Sequence, residues 1–318
     1  MSARPESARL FLARLVEKLR RAPGKKIVFP EGGDARVRAA AARLKEEKLL
    51  EPILLEGELA GAAAEKLGAL FYERRRAKGI TAMEAVETVK NPLYAACMMV
   101  AAGMADGAVG GAVNTTAETV RAALVSIGPA AGIRTVCGVF FVCVEDRKRG
   151  HDGVLVFADC AVVTDPTAVE IAEIAMVTAE STRAILGARP QVALLAFSTK
   201  GSARHASADK MMEATRILRE RVPGLDVDGE LQADAALEAE VAASKAPGSR
   251  VAGSANALIF PDLSSANISY KLVERLGGAA AYGPLLRGLA KPVSDLSRGC
   301  SADDIYAAAI MTALQSEE

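Results

Sequence analysis

The sequence predicts an α/β protein of two domains, and three observations carry the prediction. Short apolar strands alternate with helical stretches along much of the chain, a pattern that implies a mostly parallel sheet between layers of helices. The 318 residues, 51% of them hydrophobic, are enough for a buried core in each of two ordinary domains. Near Cys137 the rhythm changes to two successive strand-like runs, so a second domain is placed there. The arrangement read from this is domain I over residues 1–132 plus 286–318 and domain II over 133–285, with the C-terminal helix returning to the first domain. No internal repeat and no low-complexity linker interrupts it.

Taken in order, Lys26-Ile27-Val28-Phe29-Pro30 reads as a short buried strand, Asp34 opens a helix through Lys45, and Pro52-Ile53-Leu54-Leu55 supplies the next strand of a βαβ unit. Pro92 to Ala102 is helical and stops at Gly103. Asp106-Gly107 turns into Ala108-Val109, and Thr115-x-x-Glu118 caps a helix that carries Arg121. Val139 to Val144 and Val154 to Ala158 are strands of an antiparallel hairpin, joined by the polar turn Glu145 to Gly153 that includes His151. Helix Thr167 to Leu186, strand Val192 to Phe197, helix Ala208 to Arg221 and strand Ala257 to Phe260 resume the alternation. A final helix runs through Ile305 to Leu314, good helix formers without a breaker.

Composition excludes several classes of function. Lys+Arg and Asp+Glu balance at 39 each, so no bulk field draws the chain to nucleic acid or to an anionic membrane. Cys97, Cys137, Cys143, Cys160 and Cys300 are odd in number and scattered, without the paired short spacings of a zinc site, which fits reduced thiols in a cytoplasmic protein. The opening residues MSARPESARL lack an apolar signal region, and the most apolar stretch, Ala95 to Val113, is broken by Asp106 and several glycines. Neither secretion nor a membrane span is expected. With His151 and His205 as its only histidines, the latter assigned to the surface, the chain has few ways to build a histidine-based hydrolase or a metal site.

Serine, arginine, cysteine and aspartate crowd into Ser297-Arg298-Gly299-Cys300-Ser301-Ala302-Asp303-Asp304, a loop feeding the last helix. Unpaired N–H groups at a helix start, the positive end of its dipole and the Arg298 cation make an anion site. Ser297 and Gly299 let a hydroxyl and backbone converge with the guanidinium on one oxyanion, although an arginine in such a loop can equally be a surface residue. Asp304 has two readings. Ser301-x-x-Asp304 has the spacing of a capping box; as a general base, an ordinary Asp facing a thiol is mismatched by roughly 6 kcal/mol. Cys300 is either a nucleophile activated by the helix start and Arg298 or a packed side chain with no histidine near to serve it. Phe71 to Gly79 holds four cations in five positions, Arg74, Arg75, Arg76 and Lys78, which suit either a solvated helix face or a polyphosphorylated ligand, with Arg121 as a second phosphate contact. Ser198-Thr199-Lys200-Gly201-Ser202 follows a strand, where open α/β sheets place ligand loops, and reads equally as a plain hydrophilic turn, while Asp228-Gly229-Glu230-Leu231-Gln232 reads as a turn or part of a cleft wall.

Several of these stretches, in order, resemble the phosphate acetyltransferase family: NPLYAACMMVAAGMADGAVGGA, VFADCAVVTDPTAVEIAEIA, LAFSTKGSA, DGELQADAAL, SANALIFPDLSSANISYKL and GPLLRGLAKPVSDLSRGCSADDIY. The likeness runs from about Arg74 to the C-terminus. VFPEGGDARV resembles the family's opening strand and loop, while Glu56 to Leu70 matches poorly, and without further regulatory domains the chain resembles the compact form. The resemblance implies two α/β domains like those of the isocitrate and isopropylmalate dehydrogenases, with a cleft between them, and a homodimer. It implies reversible acetyl transfer between acetyl-CoA and phosphate, with coenzyme A as substrate and no tightly bound cofactor or metal. It implies Ser297, Arg298 and Asp304 as the catalytic group, Arg75 and Arg121 on the phosphates of coenzyme A, and Cys300 as a neighbour rather than the nucleophile. Rival readings are a phosphate butyryltransferase or other short-chain acyltransferase, an NAD-dependent decarboxylating dehydrogenase, for which no convincing dinucleotide glycine motif or metal-binding carboxylate cluster is present, and a coenzyme A sensor without turnover.

Overall fold

In the computed structural model, which describes residues 4–316, strands and helices alternate along the chain. The first part comprises α1 (Glu6–Arg20), β1 (Lys26–Phe29), α2 (Ala35–Glu46), β2 (Glu51–Leu54), α3 (Gly61–Arg75), α4 (Ala82–Lys90), α5 (Pro92–Ala101), β3 (Gly107–Gly110) and α6 (Thr116–Ser126). The middle part comprises β4 (Cys137–Cys143), β5 (Val154–Ala158), α7 (Ala168–Ser181), β6 (Gln191–Leu195), α8 (Ala206–Arg221), β7 (Asp226–Leu231), α9 (Ala233–Leu237), α10 (Ala239–Lys245), β8 (Ala257–Ile259) and α11 (Leu263–Gly277). Strands β9 (Ala280–Arg287) and β10 (Val293–Asp295) and helix α12 (Ala302–Gln315) close the chain.

Two units divide the described residues: domain I takes 15–132 and 283–316, and domain II takes 4–14 and 133–282. The first half of α1 therefore groups with domain II and not with the residues that follow it. Ser7 donates its hydroxyl to the Val144 carbonyl at 2.6 Å, and the Phe11 ring stacks on Phe141 with centroids 5.6 Å apart.

Within domain I the strand order is β2-β1-β3-β10-β9. The first four strands are parallel, with Ile27 opposite Gly107 and Val293 opposite Ala108, while β9 is antiparallel to β10. Parallel strands buried on both faces need apolar residues throughout, as Ile27, Val28 and Phe29 supply. Helix α12 is buried on all its faces from Ile305 to Gln315, so it stands as a fixed pillar against this sheet. Its Thr312 hydroxyl bonds Ser294 of β10 at 2.6 Å. A Cβ on Gly107 would come within 2.6 Å of the Thr312 methyl, so this close approach of helix and strand requires glycine.

Domain II has the order β4-β5-β8-β6-β7, antiparallel at the β4–β5 hairpin and parallel beyond it. Its core gathers Phe140, Leu155, Phe157, Leu195, Leu258 and Tyr270, with Phe140 stacked on Tyr270 at 4.4 Å. Two readings of the sequence change, and one stretch gains elements that the sequence did not announce. Asp228 to Leu231 are part of strand β7 and not a turn, because Val227 and Leu231 are buried and Asp228 and Glu230 find partners on the loop after β6. The cationic run does not continue as one helix: α3 ends at Arg75, and a short tight turn stops at Gly79 in the left-handed region, φ 85°. The glycine- and proline-rich approach to Ser297 contains strands β9 and β10. Among the described residues no helix is long and apolar enough to cross a membrane.

Candidate active site

Three connections leave the ends of parallel strands in domain I and meet: the loop after β1 that starts α2, the loop after β3 that starts α6, and the loop after β10 that starts α12. Open α/β sheets gather ligand-binding loops at these carboxyl ends. Glu31, 9% exposed, accepts the N–H groups of Ala112, Val113 and Asn114 and the Asn114 amide at 2.7–2.9 Å, shaping the second loop. Arg36 joins all three. It pairs with Asp34 at 2.8 Å, donates to the Ala112 carbonyl at 2.8 Å, and donates to the Arg298 and Cys300 carbonyls at 2.8 and 3.0 Å. The hydrogen bonds and charge of Arg36 hold the Asp34 carboxyl down at about 2, so this pair stays ionised through the physiological range.

Ser297, Arg298 and Gly299 stand exposed on the third loop. The Gly299 N–H donates to the Ser297 hydroxyl at 3.3 Å. Among the described residues the Arg298 guanidinium has neither a hydrogen bond nor an ion pair, whereas that of Arg36 is saturated by protein acceptors. Its charge reaches α6, where it helps to hold the Glu118 carboxyl below the ordinary range, after the larger effects of the Thr115 backbone and hydroxyl. Asp304 closes a capping box: one oxygen accepts the Ser301 N–H and hydroxyl, both at 2.8 Å, while the Asp304 N–H donates to the Ser301 hydroxyl at 3.2 Å. The cap thus accounts for that oxygen and fixes the carboxylate at the mouth of the pillar helix.

Cys300 is 8% exposed, and burial pushes its thiol up to about 11 despite the lowering effect of Arg36. Little thiolate forms there at neutral pH, which argues for packing over nucleophilic attack. The other four cysteines are buried as well. Among the described residues no cluster of three or more His, Cys, Asp or Glu is placed to hold a metal ion.

Helix α6 sets the remaining cations in a row. Thr115 and Glu118 form its capping box, and the exposed Arg121 lies one turn further on with no protein partner among the described residues. At its far end Arg74 donates to the carbonyls of Ser126 and Ile127 at 2.9 and 3.4 Å, a use of arginine that satisfies orphan helix carbonyls. Arg76 pairs with Glu73, so of the three arginines in the cationic run the half-buried Arg75 is the one without a hydrogen bond or ion pair among the described residues, as is the exposed Lys78. From Glu118 to Ser126 the helix advances about 12 Å, with the charge of Arg298 acting near its start, Arg121 at its middle and Arg74, the neighbour of Arg75, at its end.

The loop Ser198 to Ser202 belongs to domain II, and its donors are committed internally. Lys200 is salt-bridged to Asp228, which also takes Arg219 at 2.8 Å. Gly201 N–H and the Ser198 hydroxyl both donate to Glu230 at 2.8 Å, and the Thr199 N–H donates to the Ser202 hydroxyl at 3.0 Å. His205 is exposed and caps α8 by accepting the Ser207 N–H.

Sequence reasoning missed Glu31, Arg36, Thr116 and Asp295. Glu31 and Arg36 carried one signal, their place directly after the first strand. Asp295, 1% exposed at the end of β10, accepts the Thr116 hydroxyl at 2.5 Å. It showed only as a charge within an apolar stretch.

Fold and loops together define an α/β protein of two units with unpaired arginines at the carboxyl edge of a parallel sheet, an architecture for an anionic ligand. The chain belongs to the Phosphate acetyl/butaryl transferase family, whose sequence pattern matches residues 10–313. The phosphate acetyltransferase of Acetivibrio thermocellus is 44% identical over 327 residues, covering 96% of this chain and 98% of the relative. The crystal structure of a phosphotransacetylase from Streptococcus pyogenes superposes with a TM-score of 0.89 at 45% identity, over 97% of this chain and 98% of that one. A Salmonella typhimurium structure assigned as a 4-hydroxythreonine-4-phosphate dehydrogenase, 11% identical with a TM-score of 0.53 over 92% of this chain and 99% of its own, shares the fold alone. The dehydrogenase-like architecture expected from the resemblance is thus present.

Proposed function

We propose that the protein is a phosphate acetyltransferase, interconverting acetyl-CoA and phosphate with acetyl phosphate and coenzyme A, and that Ser297, Arg298 and Asp304 carry the reaction. Family membership and relatives named for this activity at 41–48% identity support the reaction. The observation supporting the site is the exposed Arg298 guanidinium without a protein partner, on a loop whose own carbonyls are pinned by Arg36. A fixed backbone bearing an uncommitted cation is preorganised for an oxyanion.

In the direction of thioester synthesis, Arg298 and the Ser297 hydroxyl hold the phosphoryl group of acetyl phosphate, and Asp304 accepts a hydrogen bond from the thiol of coenzyme A. The sulfur attacks the acetyl carbonyl carbon. As the S–C bond forms, the S–H proton becomes strongly acidic and passes to the Asp304 carboxylate, so the roughly 6 kcal/mol mismatch with an unbound thiol is not met in advance. The tetrahedral intermediate collapses by breaking the C–O bond, and phosphate leaves with the electron pair, its charge balanced by Arg298. Holding both substrates together supplies proximity, so no acyl-enzyme is needed, in keeping with the buried Cys300. Arg121 and Arg75 bind the phosphates of coenzyme A along α6. Coenzyme A is a substrate in this scheme, no tightly bound cofactor takes part, and the protein works in the cytoplasm.

A homodimer belongs to the same reading. Ile268, Leu272 and Leu276, spaced four apart on α11 and 51–83% exposed, form an apolar row that supports it. Initial rates of thioester formation from CoA with acetyl, propionyl and butyryl phosphate test the substrate. Acetyl phosphate is expected to give the largest kcat/KM; a clear preference for butyryl phosphate would reassign the acyl group, and no phosphate-linked turnover with any donor would remove the reading.

A further inference from the structure

We propose that Asp295, through Thr116, is a positioning residue that sets the register between the Ser297–Arg298 loop and the helix bearing Arg121. The inference rests on the function proposed above. Asp295 ends β10 two residues before Ser297, and Thr116 is the first residue of α6, five before Arg121. Their 2.5 Å hydrogen bond ties two chain segments 179 residues apart. The second carboxylate oxygen of Asp295, Oδ1, is buried and has no hydrogen-bond partner among the described residues. The Thr119 hydroxyl and the Leu296 backbone also act on the carboxyl, yet burial outweighs them and Thr116 together, so the group is a poor device for stability.

The backbone around it leaves no room for adjustment. At Gly111, φ +98°, a Cβ would fall 2.3 Å from Asp295 Oδ1 and 2.6 Å from the Leu296 nitrogen, so the loop entering α6 lies directly against the strand that carries Asp295. The contact is therefore a locating pin between two rigid pieces. One piece presents Arg298 and the other Arg121. If Arg298 holds the phosphoryl group and Arg121 holds coenzyme A, the pin governs how the thiol meets the acyl carbon while leaving each binding group intact. Misplacement by about 1 Å can cost on the order of 10²-fold in rate.

Kinetics of Thr116→Val, Thr116→Ser, Asp295→Asn and the Thr116→Val/Asp295→Asn double variant test this, with acetyl phosphate and CoA as substrates and thermal unfolding as a control. Thr116→Val is expected to lower kcat about tenfold with KM for CoA changed less than twofold, and Thr116→Ser to restore kcat to within twofold of wild type. The double variant should be no worse than the poorer single one, since both act on the same bond, Thr116→Val by removing its donor and Asp295→Asn by exchanging the carboxylate for a weaker amide acceptor. Hydrogen exchange of the amides at 111–118 and 296–300 should rise together in Thr116→Val, a readout that does not depend on turnover. The proposal is overturned if Thr116→Val keeps kcat within twofold, if the serine variant is no better than the valine one, if the losses add, if the loss falls on KM, or if exchange is unchanged. Should Asp295→Asn fail to fold, the two Thr116 variants decide alone. An inactive wild type would remove the proposed reaction, and the exchange measurement would still decide for or against the pin.

Discussion

Arg298 and Arg36 share one loop cluster, and their hydrogen bonds separate their roles. Arg36 spends its donors on Asp34 and on the carbonyls of Ala112, Arg298 and Cys300, so its charge is neutralised and its work is to fasten. Arg298 is fastened by its carbonyl and presents its guanidinium to solvent. Asp295 shows a cost attached to such an arrangement. Burial raises its carboxyl from the ordinary 3.8 to about 6, with the Thr116 hydroxyl offsetting part of the rise. The folded protein thus holds a proton that the unfolded chain releases near pH 4. Relative to that group, stability is fullest below pH 4 and declines as pH rises through 6, by about 3 kcal/mol in all. Asp295→Asn removes this titration. The unfolding temperature of the variant relative to wild type is therefore expected to climb between pH 4 and pH 6 and to level off above pH 7, and a difference independent of pH would show that Asp295 is not perturbed in this way.

Helix α6 is the element that orders the cations. Arg75 follows directly on Arg74, which caps the carbonyls at the far end of α6, and Arg121 sits at its middle. Arg75→Ala is expected to raise KM for CoA about tenfold while changing KM for dephospho-CoA much less, as measured by initial rates with each thiol; equal losses with both would remove Arg75 from the 3′-phosphate. How much of this was legible depended on sequence distance. The capping boxes Thr115/Glu118 and Ser301/Asp304 are local patterns and could be read directly. Glu31 acts on residues 81–83 positions away, and Arg36, beyond its neighbour Asp34, on residues 76–264 away, so their place directly after the first strand was the one local signal and their partners were not legible. Among Arg74, Arg75 and Arg76 the composition announced a cationic cluster, but only the partners Ser126 and Glu73 reveal which arginine is left over. Strands β9 and β10 were hidden because Gly283, Pro284 and Pro292 punctuate them.

At the scale of the whole molecule, the alternating elements were enough to indicate an α/β chain of two units, since strand and helix periods survive in any single sequence. The grouping of residues 4–14 with domain II was not, because it depends on Ser7 meeting Val144 and Phe11 meeting Phe141. Function separates in the same way: the family is written in ordered motifs across the chain, whereas in the proposed mechanism the chemistry depends on which arginine is left without a partner. The most direct test of that claim is kcat for acetyl-CoA formation, with phosphate release followed in parallel, for wild type, Arg298→Ala and Asp304→Asn at matched unfolding temperatures. Arg298→Ala should lower kcat about 10²–10³-fold and Asp304→Asn at least tenfold, with one phosphate released per thioester formed by wild type. Retention of half the wild-type rate by Arg298→Ala would contradict the account.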